Sequence, residues 1–184
     1  MQAGSLDISG RTLQPNGVIT FAGGTINGNA TSALTITGSG NINGSALFGV
    51  GGLGTVTMNR AGATMTLGSP LNLLSASALT LTQGYIKSTP ANVVFVQDPS
   101  IGAITGGSAA SHIAGALRRV MAMAGGSFAF PVGGGTATTY LPASMNFASS
   151  AASPIYEVEP FLAASGGTET GVIGAGTLST TEYW

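Results

Sequence analysis

Aliphatic and hydroxyl-bearing residues alternate along the first half of the chain. Five short segments carry an aliphatic or aromatic side chain at every second position, mostly with threonine between: VITF at 18–21, LTIT at 34–37, TVTM at 55–58, TMTL at 64–67 and LTLT at 79–82. This period of two predicts β-strands with one buried and one exposed face. Glycines and Asn-Gly pairs lie between the segments and permit sharp corners.

Two arrangements of strands fit this pattern. In a meander the Asn-Gly pairs form hairpin turns, whereas in a β-solenoid each corner passes the chain to the next coil. Gly28 and Gly44 lie 16 residues apart in matching Ile-Asn-Gly triplets. Met65 and Leu81 lie 16 residues apart in matching triplets with threonine on either side. This repeat favours the solenoid, in which threonine and asparagine form outer ladders and aliphatic side chains fill the interior.

The composition changes after about residue 89. Prolines become frequent, and VVFV at 93–96, FAFPV at 128–132 and IYEVEPFL at 155–162 predict the strands of a second β module. The stretch 109–124 is ambiguous, because its aliphatic residues follow helical spacing through alanine-rich sequence. Periodicity alone predicts a helix there, although Gly115 within it weakens that prediction.

Charged residues make up only 6% of the 184 residues, whereas an ordinary globular domain has about 25%. Five basic residues and a net charge of −1 exclude a basic nucleic-acid interface and a basic membrane-surface helix. The absence of cysteine excludes disulfides and thiol nucleophiles, and His112 is the only histidine. No apolar run is long enough to predict a transmembrane helix. We therefore expect no cofactor and no membrane insertion.

Four segments of the second half form a recognisable series: SHIAGALRRVM at 111–121, GSFAFPVGGG at 126–135, Tyr-Leu-Pro at 140–142 and STTEYW at 179–184. Together they resemble a recurring module of very large secreted surface proteins of Bacteroidota. The positions that best match the family are Gly115, Arg118, Arg119, Phe130, Pro131, Val132 and Gly133, and GYIKS at 84–88 resembles the family's last repeat before the module.

The resemblance implies several properties of this chain. The stretch around Arg118 would be a strand, and the Glu-Tyr-Trp segment would open a β-sandwich-like part. Export by the type IX route, a place outside the outer membrane and roles in adhesion, gliding or matrix are implied as well, without a catalytic site. Because Trp184 ends the chain where the family's strand continues, we expect a piece of something longer.

Two constellations have both a functional and a structural interpretation. Gly49, Gly51 and Gly54 have the spacing of a dinucleotide-binding loop, but strand-like segments follow instead of a helix, so we expect a corner. Glu157 and Glu159 would share one face of a strand, as a glycosidase pair or a cation site requires. No other acid or histidine is near them in sequence, which favours a solvated strand face.

Two further pairs of candidate residues are adjacent in the sequence. Ser111 and His112 cannot act as nucleophile and base, because neighbours on a strand point to opposite faces. Arg118 and Arg119 also point to opposite faces. We expect one of them to pair with one of the two glutamates and the other to reach solvent or a polymer.

The threonine ladders are the candidate binding surface. A flat, uncharged face of regularly spaced hydroxyl and methyl groups can match an ordered lattice, either ice or a crystalline polysaccharide. The opposing interpretation is that threonine suits exposed strand positions in general. The candidate residues are Thr35, Thr37, Thr55, Thr57, Thr64, Thr66, Thr80 and Thr82.

The sequence as a whole predicts an all-β protein: a short right-handed parallel β-solenoid over 1–89 that continues into a β-sandwich-like module over 90–184, incomplete at its C-terminus. The predicted function is that of a non-enzymatic structural or adhesive segment of an extracellular or cell-surface fibre protein. Its partners would be further copies, flanking domains or a surface glycan, because low charge opposes self-association little. Polysaccharide or ice binding is the alternative, and a β-helical polysaccharide lyase or hydrolase ranks last.

Overall fold

The computed structural model describes residues 4–134, 139–149 and 151–161. These residues form β-strands and one 3-10 helix, Ile101–Ala103, with no α-helix among them. The strands are β1 (Ser5–Asp7), β2 (Thr12–Leu13), β3 (Ile19–Phe21), β4 (Thr25–Asn27), β5 (Ala33–Ile36), β6 (Ile42–Ala46), β7 (Thr55–Leu67), β8 (Leu71–Leu73), β9 (Leu79–Lys87), β10 (Val94–Val96), β11 (Ile104–Gly106), β12 (Ser111–Ala114), β13 (Leu117–Val120), β14 (Gly126–Phe130), β15 (Val132–Gly133), β16 (Ala143–Phe147) and β17 (Ile155–Val158).

Parallel pairing stacks these strands into a coil with three sides. The first side, called the threonine side below, contains β2, β5, the first part of β7, the first part of β9 and β11. The second side contains β3, β6, the second parts of β7 and β9, then β12 and β15. The third side begins with β1 and β4 and continues with β8, β10 and β13. The predicted all-β fold with a parallel β-solenoid is confirmed, with about six turns.

The interior is filled by the aliphatic residues of the alternating segments. Leu34, Val56 and Leu79 lie opposite one another on consecutive strands of the threonine side, and all are buried. Each coil therefore places an aliphatic side chain directly over that of the preceding coil. Burial of such stacked side chains is the main favourable term available to a chain with so few charges.

The coil is longer than the 16-residue repeat predicted from the sequence. Thr35 lies opposite Thr57 and Thr57 opposite Thr80, so consecutive coils are offset by 22 and 23 residues. Met65 pairs with Ile86, not with Leu81. The two 16-residue matches compare strands on different sides of the coil, because the same alternation serves every side.

Parallel stacking does not stop at the predicted division near residue 89. Strand β10 pairs in parallel with β8 and β13, and β12 pairs in parallel with β9. Antiparallel pairing is found between β14 and β16 and between β13 and β17. The β-sandwich-like module stays a prediction, and STTEYW at 179–184 lies outside the described residues.

The stretch 109–124 forms strands β12 and β13, so the helix predicted by its periodicity is wrong and the strand implied by the family resemblance is correct. Gly115 explains the difference. It has φ 127°, and a Cβ there would lie 2.2 Å from the carbonyl oxygen of Ser88 on the preceding coil. Only glycine permits both this backbone conformation and this close approach. The chain therefore bends between two strands instead of continuing as a helix.

Candidate functional site

Four threonines form a column along the threonine side. Thr35, Thr57, Thr80 and Thr105 lie opposite one another on four consecutive coils. Neighbouring strands are about 4.8 Å apart, so the hydroxyl and methyl groups recur at that interval. The Thr105 hydroxyl lies 3.2 Å from the Thr80 hydroxyl oxygen, to which it donates a hydrogen bond. The sequence analysis missed Thr105, because its offset of 25 residues from Thr80 differs from the preceding ones.

The other candidate threonines do not extend this column. Thr55 is on the same side but lies opposite Ala33. Thr64 and Thr66 are on the second side, where Tyr85 and Lys87 lie opposite them on the next coil. The remaining two, Thr37 and Thr82, are near the corner between these sides, and Thr82 falls where the pairing of β7 and β9 changes register. The eight predicted residues are therefore divided between two sides and a corner.

Arg60 is a buried residue with a structural role that the sequence analysis missed. Its side chain is 1% exposed, at the bend in the middle of β7. Nε donates to the carbonyl of Thr37 at 2.8 Å, Nη1 to that of Gly17 at 2.8 Å and Nη2 to that of Pro15 at 3.1 Å. Because these carbonyls belong to the two preceding coils, one guanidinium ties three consecutive coils together. An isolated arginine in a charge-free stretch was the only sequence signal.

Arg119 is a second buried arginine. The sequence analysis expected one of Arg118 and Arg119 to pair with a glutamate and the other to reach solvent or a polymer. The second expectation is wrong, because the side chain of Arg119 is 0% exposed. Nη1 donates to the carbonyl of Ala129 at 2.8 Å, Nη2 donates to that of Ser100 at 2.9 Å, and the guanidinium carbon lies 5.0 Å from the centre of the Phe128 ring. Burial lowers the pKa of Arg119 to about 10, against an opposing effect of Asp98, so the group stays cationic at neutral pH. Carbonyls and an aromatic face stabilise the charge.

Arg118 and Glu157 form the expected ion pair on the outer surface. Nε and Nη2 of Arg118 both donate to one oxygen of Glu157, at 2.8 and 2.5 Å. Both side chains are partly exposed, so the pair stabilises the protein little. Glu159 follows the end of β17, and burial together with the charge of Glu157 raises its pKa. The pair lies across the antiparallel main-chain pairing of β17 with β13.

His112 is fully buried between two tyrosine rings. Its ring centre lies 4.9 Å from that of Tyr85 and 5.4 Å from that of Tyr140. Nδ1 is 3.0 Å from the carbonyl oxygen of Ser108, so Nδ1 carries the proton and donates it. Among the described residues Nε2 has no hydrogen-bond partner, and it lies against the backbone of Gly133. Burial lowers the pKa of His112, and the Ser108 hydrogen bond opposes this only in part.

The candidate catalytic and metal-binding combinations can be compared with the geometry of the described residues. Ser111 and His112 make no hydrogen bond to each other, as predicted. In the part of the chain that the structure describes, no three histidine or acidic side chains are close enough to hold a metal ion. No helix in the described ranges is long and apolar enough to cross a membrane. Gly49, Gly51 and Gly54 precede strand β7, as expected of a corner.

Comparisons of the chain with protein-family models, with curated proteins and with solved structures give no match. The resemblance to surface proteins of Bacteroidota therefore rests on the residues quoted above. Several of the positions that best match the family have a structural role in this protein. Gly115 makes the close approach to Ser88, and Arg119, Phe130 and Val132 are buried.

Replacement of Arg60 by methionine should destabilise the solenoid. Methionine has a similar length but removes the guanidinium donor from the carbonyls of Gly17 and Thr37, and one of two donors from that of Pro15. The cost should be roughly 2 to 4 kcal/mol in the free energy of unfolding. Urea denaturation followed by circular dichroism measures it. Arg11→Met is the matched control, because Arg11 is exposed. Equal stabilities of the two variants would contradict the tie between coils.

The buried His112 predicts a loss of stability on mild acidification. Its pKa in the folded protein is below the usual value of about 6.5, so the unfolded chain binds the proton more tightly. Its contribution is fully present above about pH 6.5 and is lost as the pH falls towards the lower, folded pKa. Melting temperatures measured from pH 8 to pH 5.5 should therefore decrease below about pH 6.5.

His112→Asn is the control for this pH dependence. Asparagine can still donate to the Ser108 carbonyl but does not titrate, so the decrease should disappear. Glu159 gives a change of opposite sign, because its raised pKa favours the protonated folded state, and it is present in both proteins. An unchanged decrease in the variant would mean that another group is responsible.

Proposed function

We propose that this chain is a non-enzymatic, stiff segment of a large secreted or cell-surface protein, in which stacked β-coils separate or join adhesive parts. The observation that carries the proposal is the continuity of parallel main-chain pairing. On the threonine side it runs from Thr12 through β5, β7 and β9 to Gly106. Each coil is held by its neighbours on either side, which is the property a spacer under tension requires.

The ionisable residues support a structural role. Arg60 and Arg119 are directed at main-chain carbonyls, Arg118 pairs with Glu157, and His112 is enclosed by tyrosine rings. Each of these groups makes contacts that hold strands together. The extracellular location and export by the type IX route are supported by the resemblance of residues 111–121 and 126–135 to secreted surface proteins.

Stretching single molecules between the two ends of the chain tests the proposal. A stiff solenoid should resist low force and then unfold in steps of about one coil. With about 22 residues per coil, each step should lengthen the chain by roughly 7 to 8 nm. Arg60→Met should lower the force only of the steps in which the first three coils unfold, because Arg60 binds carbonyls of those coils. Smooth extension at low force, without steps, would contradict a load-bearing role.

The threonine column supports a second candidate function, binding to a repetitive surface such as a crystalline polysaccharide or ice. Its four residues are in register on consecutive coils, and Thr55 lies on the same side about 6.6 Å from the column. The array is small and only partly exposed. We therefore place this function second.

A double variant, Thr57→Val and Thr80→Val, tests the second function. Valine keeps the shape of the side chain but removes the hydroxyl group, so sedimentation with insoluble polysaccharide and thermal hysteresis should both decrease. The matched control is Thr64→Val with Thr66→Val on the second side. Equal effects of the two double variants, or no binding and no hysteresis by the unaltered protein, would remove this candidate.

A further inference from the structure

The three Asn-Gly pairs of the chain differ in their surroundings. They are 16–17, 27–28 and 43–44. In such a pair the asparagine side chain can react with its own main chain, because glycine has no Cβ to obstruct the amide nitrogen that follows the asparagine. The reaction also needs an accessible side chain and a main chain that can turn towards it, so the fold decides which pair reacts.

Asn16 and Gly17 lie on the corner between β2 and β3, and both are exposed. Apart from the neighbouring residues in the chain, no described atom lies within 4 Å of the place that a Cβ of Gly17 would occupy. Within the described ranges, the Gly17 amide nitrogen donates to no main-chain carbonyl. This nitrogen is therefore available for reaction, with open space beside it.

The other two pairs are confined by neighbouring strands. Asn27 belongs to β4 and is paired with β1, and a Cβ of Gly28 would lie 2.6 Å from Cδ2 of Leu53. Gly44 lies within β6, opposite Phe21, and β6 is paired with β3 and also with β7. Either pair would have to leave its place in the coil before it could react, which costs the free energy of a local opening.

We propose that Asn16 is a site of spontaneous deamidation and isomerisation, and that its product loosens the contacts by which Arg60 joins three coils. The Gly17 nitrogen loses its proton to water and bonds to Cγ of Asn16, and the side-chain nitrogen leaves as ammonia. Water then opens the cyclic imide. Opening at Cγ gives aspartate, whereas opening at the main-chain carbonyl carbon gives isoaspartate, in which the main chain runs through Cβ and Cγ. The proposal does not rest on the proposed mechanical function.

Asn16 lies between two carbonyls that Arg60 binds. Nη2 of Arg60 is 3.1 Å from the Pro15 oxygen, and Nη1 is 2.8 Å from the Gly17 oxygen. The Asn16 carbonyl between them accepts from the Ser39 nitrogen at 3.3 Å. Isoaspartate adds a methylene group to the main chain at this point and turns the Asn16 carbonyl into a carboxylate. The two flanking carbonyls then no longer fit one guanidinium.

Incubation of the whole chain in warm, mildly alkaline buffer, followed by peptide mapping with mass spectrometry, tests the first part of the proposal. Asn16 should react at least about tenfold faster than Asn27 or Asn43, a ratio equivalent to about 1.4 kcal/mol in activation free energy. In urea the three rates should become similar, because the fold no longer protects the other two sites. An unmodified Asn16, or equal rates at the three sites in the folded protein, would overturn the proposal.

Gly17→Ala tests whether the open space at Gly17 permits the reaction. The fold should tolerate the added methyl group, because Gly17 does not have a positive φ and no described atom is close to that position. The methyl group obstructs the attacking nitrogen, so the reaction at Asn16 should become several times slower. An unchanged rate at Asn16 would contradict attack by this nitrogen.

Urea denaturation of fresh and incubated protein tests the second part. Incubated protein should unfold at a lower urea concentration, with a shift no larger than that caused by Arg60→Met. Asn16→Gln is the matched control, because glutamine keeps an exposed amide but forms the cyclic imide far more slowly, so incubation should hardly shift its midpoint.

Arg60→Met separates this loss of stability from other effects of incubation. Its contacts with the corner are already absent, so incubation should lower its midpoint little further. An equal shift in the Arg60→Met protein, an equal shift in Asn16→Gln, or no shift in the unaltered protein after Asn16 has reacted would overturn the proposed link to Arg60.

Discussion

Parallel main-chain pairing between consecutive coils is the interaction on which the rest of this structure depends. Each coil presents unpaired edges on all its sides, and the next coil satisfies them while stacking its aliphatic side chains on the preceding ones. The arrangement needs no charged surface, because hydrogen bonds lie along the axis and the side chains between coils are apolar or carry hydroxyl groups. A chain with 6% charged residues can therefore build a solenoid of about six turns.

Buried charge in this molecule is stabilised by main-chain carbonyls. Arg60 and Arg119 are completely enclosed, and both guanidinium groups bind carbonyl oxygens of segments distant in sequence. Carbonyls are abundant at the corners of a solenoid, where the chain leaves one side before it joins the next. A guanidinium with five donors can satisfy several of them at once, which a lysine could not do. Arg60 secures two corners in this way, whereas Arg119 joins the segment before the 3-10 helix to strand β14.

The threonine column follows from the same stacking. A column forms wherever equal residues recur at the coil offset, as Thr35, Thr57 and Thr80 do. This column cannot be recognised in one strand considered alone.

The sequence by itself determined that the chain forms short strands, which of their residues face inward, and that glycine corners join them, because alternation and glycine are local signals. It also indicated, through a resemblance, that residues 111–121 form strand. The offset between coils was decided only in the tertiary structure, because corner lengths set the register and the same alternation fits several registers. Likewise only the tertiary structure placed Arg60 and Arg119 inside. Their carbonyl partners lie up to 45 residues away, so no local pattern records the hydrogen bonds that make burial of these charges favourable.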